Sequence, residues 1–193
     1  DAIIELRQKV EQLKTMDAVG VDTFIKGLDT IADHEKVTKL ELEKDKVKIW
    51  VSDIHAFAEL NDEEKEFYIG NMEIHIDMNT SLVKFFGDNP RRGYWTERDP
   101  HPHVNGENGT PCLGNVATSI AQLCSEKEIY MAFLICLDFL QNANTDDAAG
   151  AKVINWEYFD EDRNLVEYER NMKWCPCCEE DHDEDSTEFR TVG

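Results

Sequence analysis

An α+β fold, an antiparallel meander of strands packed by helices, follows from three observations on the sequence. Apolar and charged residues alternate through 39–51 and again through 67–78. Apolar residues instead recur every three or four positions through 1–16 and 129–140. Between these regimes, 87–111 holds four of the five prolines and four glycines, the composition of a long irregular loop. A loop of that length inside a compact domain usually carries binding or chemistry.

The elements follow in order. Ile3, Ile4, Leu6, Val10, Leu13 and Met16 stripe one face of 1–16, which predicts an amphipathic helix that packs on its own domain or docks a partner. Gly20 and Gly27 bracket a short helical piece, 21–28. Leu40 and Leu42, then Val47, Ile49 and Val51, predict a strand pair turning at Lys44-Asp45. A third strand, 67–78, and a fourth, 82–86, turn at Asn79-Thr80-Ser81, and one face of this meander is buried. Ser125 and Glu128 have the spacing of a capping box. The helix it opens buries Ile129, Ala132, Phe133, Cys136, Leu137 and Leu140 and ends near Asn142. Val153, Ile154, Trp156, Tyr158, Phe159, Leu165, Val166 and Tyr168 predict one further helix or an extension across 151–174. From Cys175 onward the chain is acidic and nearly free of apolar residues, a mobile tail unless metal or a partner orders it. Three parts result: a helical segment at 1–36, an α+β domain at 37–174 and an acidic, cysteine-rich tail at 175–193.

Charge narrows the partners. With 41 acidic against 20 basic residues the net charge is -21, which argues against a phosphate backbone and for basic protein partners. No apolar run approaches the roughly 18 residues of a membrane span. The six cysteines lack the even spacing of a disulfide framework, so a reducing, cytoplasmic setting is expected.

The densest chemistry lies between His101 and Asp147. His101-Pro102-His103 precedes Gly109-Thr110-Pro111-Cys112-Leu113-Gly114, and Asn144-Thr145-Asp146-Asp147 follows the helix. This order and spacing resemble the core of the ubiquitin-conjugating enzyme family. In that family a His-Pro-Asn triplet precedes the catalytic cysteine in a Gly-x-x-Cys-Leu setting, and a helix then leads to an Asn-x-Asp-Asp loop. The resemblance covers about a quarter of the chain, and the helix, meander, loop and helix order belongs to the same fold.

The resemblance implies roles. Cys112 would accept the C-terminus of a ubiquitin-like modifier from an activating enzyme as a thioester and pass it to a lysine. Gly109 and Gly114 beside it would allow another backbone to approach. His103 replaces the family's Asn, whose amide supports the oxyanion, and an imidazole can donate the same bond. His101 would be a structural hydrogen-bonding residue. Asp147, with Asp146 and Asn144 beside it, would orient and deprotonate the incoming lysine. Ala148 stands where the family has proline.

Each feature also has a plainer reading: Cys112 as a small buried hydrophobe, the His-Pro pair as a turn, and Asn144-Thr145-Asp146-Asp147 as a solvated helix end. The rival function is therefore a catalytically silent relative, a binding or assembly component such as a part of a phage particle. The drift at His103 and Ala148 suggests a bacterial or viral source. Neither function requires a cofactor. Cys175, Cys177, Cys178 and His182 offer three or four zinc ligands, although adjacent cysteines seldom serve one ion. Arg91 and Arg92 form a basic spot in the proline-rich loop.

Overall fold

The computed structural model describes residues 18–60, 63–91, 93, 95–96, 98–145, 149–150, 156, 158–159, 165–166, 172–175 and 180–183. The amphipathic segment 1–16 lies outside them. The first helix, α1, spans Ala18–Ala32 and buries Ile25, Leu28 and Ile31. Gly20 and Gly27 lie inside it rather than at its ends, a correction to the short 21–28 piece. A Cβ at Gly27 would stand 2.6 Å from Ile129 Cγ2 and 3.3 Å from the Tyr130 nitrogen, so this glycine permits a close helix crossing.

Strands β1 (Val37–Glu43), β2 (Lys46–Leu60), β3 (Glu63–Asp77) and β4 (Val83–Gly87) form the expected antiparallel meander. Lys44 turns the first hairpin with φ 54°, and Ser81 ends the third turn with φ 57°. Leu40 pairs with Ile49, Ile49 with Ile74, and Ile74 with Phe85, which lines apolar residues across one face. β2 runs nine residues beyond Val51, because the register shift there absorbs Ser52 and Asp53 in a bulge. Asp53 takes φ 55° and Gly70, across the ladder, φ 100°. Beyond the bulge Ile54, Ala56 and Ala58 return to the buried face.

Two more helices follow, of which the second packs on β2 and on α1 and the first packs on the second. α2 spans Val116–Ser125 and α3 spans Ile129–Gln141. The six α3 residues read from the sequence as its buried face are those the structure buries. The capping box, however, is not made. Ser125 closes α2, its hydroxyl donating to the Gln122 carbonyl at 2.7 Å. Lys127 then turns the chain with φ 63°, and Glu128 caps α3 without a side-chain bond. A turn between two helices thus carries the spacing of a cap.

After α3 the chain lies beside β2. Asn142 bridges Phe57 in parallel, and the Ala143 N–H donates to the Phe57 carbonyl at 2.9 Å. Of the further helix or extension predicted across 151–174, the described positions hold strand and not helix. Tyr158–Phe159 forms β5, paired with β3 at Glu66, and Leu165–Val166 forms β6, paired with β5. β-branched and aromatic residues in short runs favour strand pairing over helix. Met172–Cys175 (β7) pairs with Glu180–Asp183 (β8), and the rest of the acidic tail lies outside the described residues. Among the described residues no helix is long and apolar enough to cross a membrane.

Candidate functional site

The stretch from His101 to Cys112 folds as a tight hairpin. The Val104 N–H donates to the His101 carbonyl at 3.0 Å, the Asn105 N–H to Thr110 at 3.0 Å, and the Gly109 N–H to Asn105 at 2.8 Å. The Cys112 N–H donates to the His103 carbonyl at 2.8 Å. Gly109 adopts φ 70° and its carbonyl accepts the Phe85 N–H at 2.8 Å, which joins the hairpin to β4. The close approach at Gly109 is therefore made by this chain's own Phe85 and Phe86, not by a visiting backbone. Gly114, with φ 52°, has nothing within 4 Å of where a Cβ would stand.

Cys112 is exposed, whereas Cys124 and Cys136 are buried. Burial pushes both of those thiols up, disfavouring the thiolate form. Of Cys112, Cys124 and Cys136, Cys112 is the one whose thiol lies open to solvent.

Both histidines lie inside. His101 has no exposed surface and His103 is 5 % exposed. Phe139 of α3 packs against both, at 5.0 Å from the His101 ring and 6.5 Å from that of His103. His101 Nδ1 accepts the His103 N–H at 3.2 Å, so the neutral ring carries its proton on Nε2. Burial, and secondarily the charge of His103, push His101 down to about 3. That is the structural role anticipated for His101 from the sequence.

His103 Nε2 lies 2.9 Å from the carbonyl oxygen of Asn144, 41 residues away. A carbonyl only accepts, so Nε2 bears the hydrogen and donates it. The structure thus brings Cys112, His103 and Asn144 together, through the backbone on one side and an imidazole on the other. The next residue is held as well, Thr145 Oγ1 donating to the Glu59 carbonyl at 2.8 Å. Gly150 returns against the Asn144 carbonyl so closely that a Cβ there would collide with it. Asp146 and Asp147, and with them Ala148, lie outside the described residues.

Asp99 is the organising residue that sequence reasoning passed over. Its carboxylate has no exposure and accepts from the Trp95 N–H (2.9 Å), the Thr96 N–H (3.2 Å), the Thr96 hydroxyl (2.7 Å) and the Gly106 N–H (2.8 Å). Gly93 and Gly106 are needed beside it, since a Cβ at Gly93 would meet that carboxylate and one at Gly106 the Arg98 carbonyl. The signal available in the sequence was an aspartate three residues after a threonine in a glycine-bearing loop. Arg91 pairs with Asp99 through the backbone, and its guanidinium lies 5.2 Å over the buried Trp156 ring. Arg92 lies outside the described residues.

In the tail, β7 and β8 place Lys173 opposite His182 and Cys175 opposite Glu180. The two described zinc candidates are therefore offset by two positions on one ladder, and Cys177 and Cys178 lie outside the described residues. Among the described residues no group of three or more His, Cys, Asp or Glu side chains is placed to hold a metal ion. Comparison of the chain with protein-family models, with characterised proteins and with solved structures finds no match.

Proposed function

We propose that the protein carries an acyl group, the C-terminal carboxyl of a ubiquitin-like modifier, as a thioester on Cys112 and transfers it to an amine. One observation carries this reading. An exposed thiol is bonded through its backbone to His103, whose imidazole reaches the Asn144 end of the acid stretch. The Cys112 backbone, His103 and the Asn144 carbonyl lie on one chain of hydrogen bonds, which supports this reading. The four-stranded meander with its helices is compatible with the ubiquitin-conjugating fold.

The chemistry balances simply. Cys112 Sγ attacks the activated carbonyl supplied by an activating enzyme; an S–C bond forms, and the donor thiol leaves with the proton. A lysine amine then attacks the same carbon, the C–S bond breaks, and Cys112 departs as thiolate. The attacking neutral amine sheds a proton to a base as the C–N bond forms, the task that the family resemblance implies for Asp147 or Asp146.

The test uses a glycine-terminated peptide thioester as donor. Wild-type protein acquires a thiol-labile acyl group on Cys112, located by peptide mapping and absent in Cys112→Ala. It then delivers the group to free L-lysine at least tenfold faster than the same acyl group leaves a small-molecule thiol. Equal rates would overturn the carrier reading. They would leave the second one, a catalytically silent binding or assembly module, which the burial and prior engagement of the His103 imidazole favour. For the tail, Cys175, Cys177, Cys178 and His182 are proposed to hold one zinc ion. Purified protein then carries close to one equivalent of metal, lost in Cys175→Ser; metal-free protein would end that proposal.

A further inference from the structure

We infer that His103 is a positioning residue: its imidazole fastens the chain at Asn144 to the Cys112 hairpin instead of supplying an oxyanion donor. The inference rests on the carrier reading and assigns a part within it. Three bonds define the role. The His103 carbonyl accepts the Cys112 N–H at 2.8 Å, its own N–H is held by His101 Nδ1 at 3.2 Å, and Nε2–H is committed to the Asn144 carbonyl at 2.9 Å. An oxyanion donor must present an N–H where charge develops, at hydrogen-bond distance from the reacting carbon's oxygen. The Nε2 proton of His103 points instead at a main-chain carbonyl, from a ring only 5 % exposed and packed on Phe139.

The segment it fastens is already tied to the sheet on its other side. The Ala143 N–H donates to Phe57, and Thr145 Oγ1 donates to Glu59, both on β2. His103 connects that segment across to the hairpin that ends in Cys112, so the thiol and the chain leading to the acid stretch share one support. Loss of the imidazole leaves 143–145 on β2 but separates it from Cys112. Misplacement of about 1 Å suffices to slow transfer by orders of magnitude.

Side-chain length separates this role from the family's. Glutamine places its amide nitrogen where histidine has Nε2, whereas asparagine places its own where histidine has Nδ1. If His103 fastens, glutamine replaces it; if it serves as an oxyanion donor in the asparagine position, asparagine does. Full-length wild type, His103→Gln, His103→Asn and His103→Ala are compared in two assays after thermal unfolding confirms that each is folded.

Hydrogen exchange at the Ala143 and Cys112 amides should accelerate about tenfold in His103→Asn and His103→Ala and stay within about threefold of wild type in His103→Gln. Acyl loading of Cys112 from the peptide thioester should be equal in all four, and discharge to L-lysine should follow the exchange order. Rescue of discharge by asparagine and not by glutamine overturns the inference. So does exchange that is unchanged in every variant. Exchange in the expected order, with no accelerated discharge even in wild type, supports the fastening role and removes the carrier reading.

Discussion

Acidification should destabilise this fold through His101, and the size of the effect follows from its surroundings. The ring has no exposed surface, lies 5.0 Å from Phe139 and gives Nδ1 to the His103 N–H. Burial holds its pKa near 3, against roughly 6.5 in the unfolded chain. Between these values the unfolded chain binds one more proton than the folded one, so stability falls as pH falls. The loss begins below pH ~6.5, proceeds at about 1.4 kcal/mol per pH unit and levels off near pH 3. From pH 7 to pH 5 it amounts to about 2 kcal/mol, a sizeable part of the 5–15 kcal/mol typical of a domain. The assay is urea unfolding at pH 7, 6 and 5 for wild type and His101→Asn. Asparagine Oδ1 can accept the His103 N–H from the Nδ1 position but takes up no proton. With a slope of about 2 kcal/mol per molar urea, the wild-type midpoint should drop about 1 M more than the variant's over that interval. Midpoints that fall in parallel would refute the reasoning, since every other titrating group is common to both proteins.

Three further outcomes test the packing and the thiols. Phe133→Ala should cost about 3–5 kcal/mol in the same unfolding assay, because the ring is fully buried and meets His34 edge-on at 5.3 Å. Met131→Ala, on the same helix but 46 % exposed, should cost less than about 0.5 kcal/mol; equal costs would place α3 off the sheet. Gly27→Ala should destabilise by about 1–3 kcal/mol, since the new methyl meets Ile129 and the Tyr130 backbone; a neutral result would mean α1 and α3 are farther apart. Iodoacetamide with peptide mapping should modify Cys112 in native protein, and Cys124 and Cys136 only after unfolding; native modification of Cys136 would contradict its burial.

What the sequence determined by itself is the part governed by local period. Alternation in 39–51 and 67–78 marks β1, the start of β2 and most of β3, because a strand with one wet face must alternate. The spacing of Ile129, Ala132, Phe133, Cys136, Leu137 and Leu140 likewise marks the buried stripe of α3, because only a 3.6-residue period puts those six on one side. Motif order also placed Cys112, His103 and Asn144 on one short list.

Tertiary structure decided whatever depends on a neighbour distant in sequence. Gly20 and Gly27 read as punctuation until α3 is seen crossing over Gly27, where a glycine serves packing and not termination. Ser125 and Glu128 have cap spacing, but Lys127 turns the chain between them, and a spacing pattern cannot say which residue takes a left-handed φ. The bulge at Ser52 and Asp53 interrupts alternation and conceals the second half of β2, which only pairing with β3 makes visible. Asp99 gains importance from four donors that surround it in space, and His103 from a carbonyl 41 residues away. Local residue type sets what a side chain can donate or accept; the folded chain determines where that bond goes.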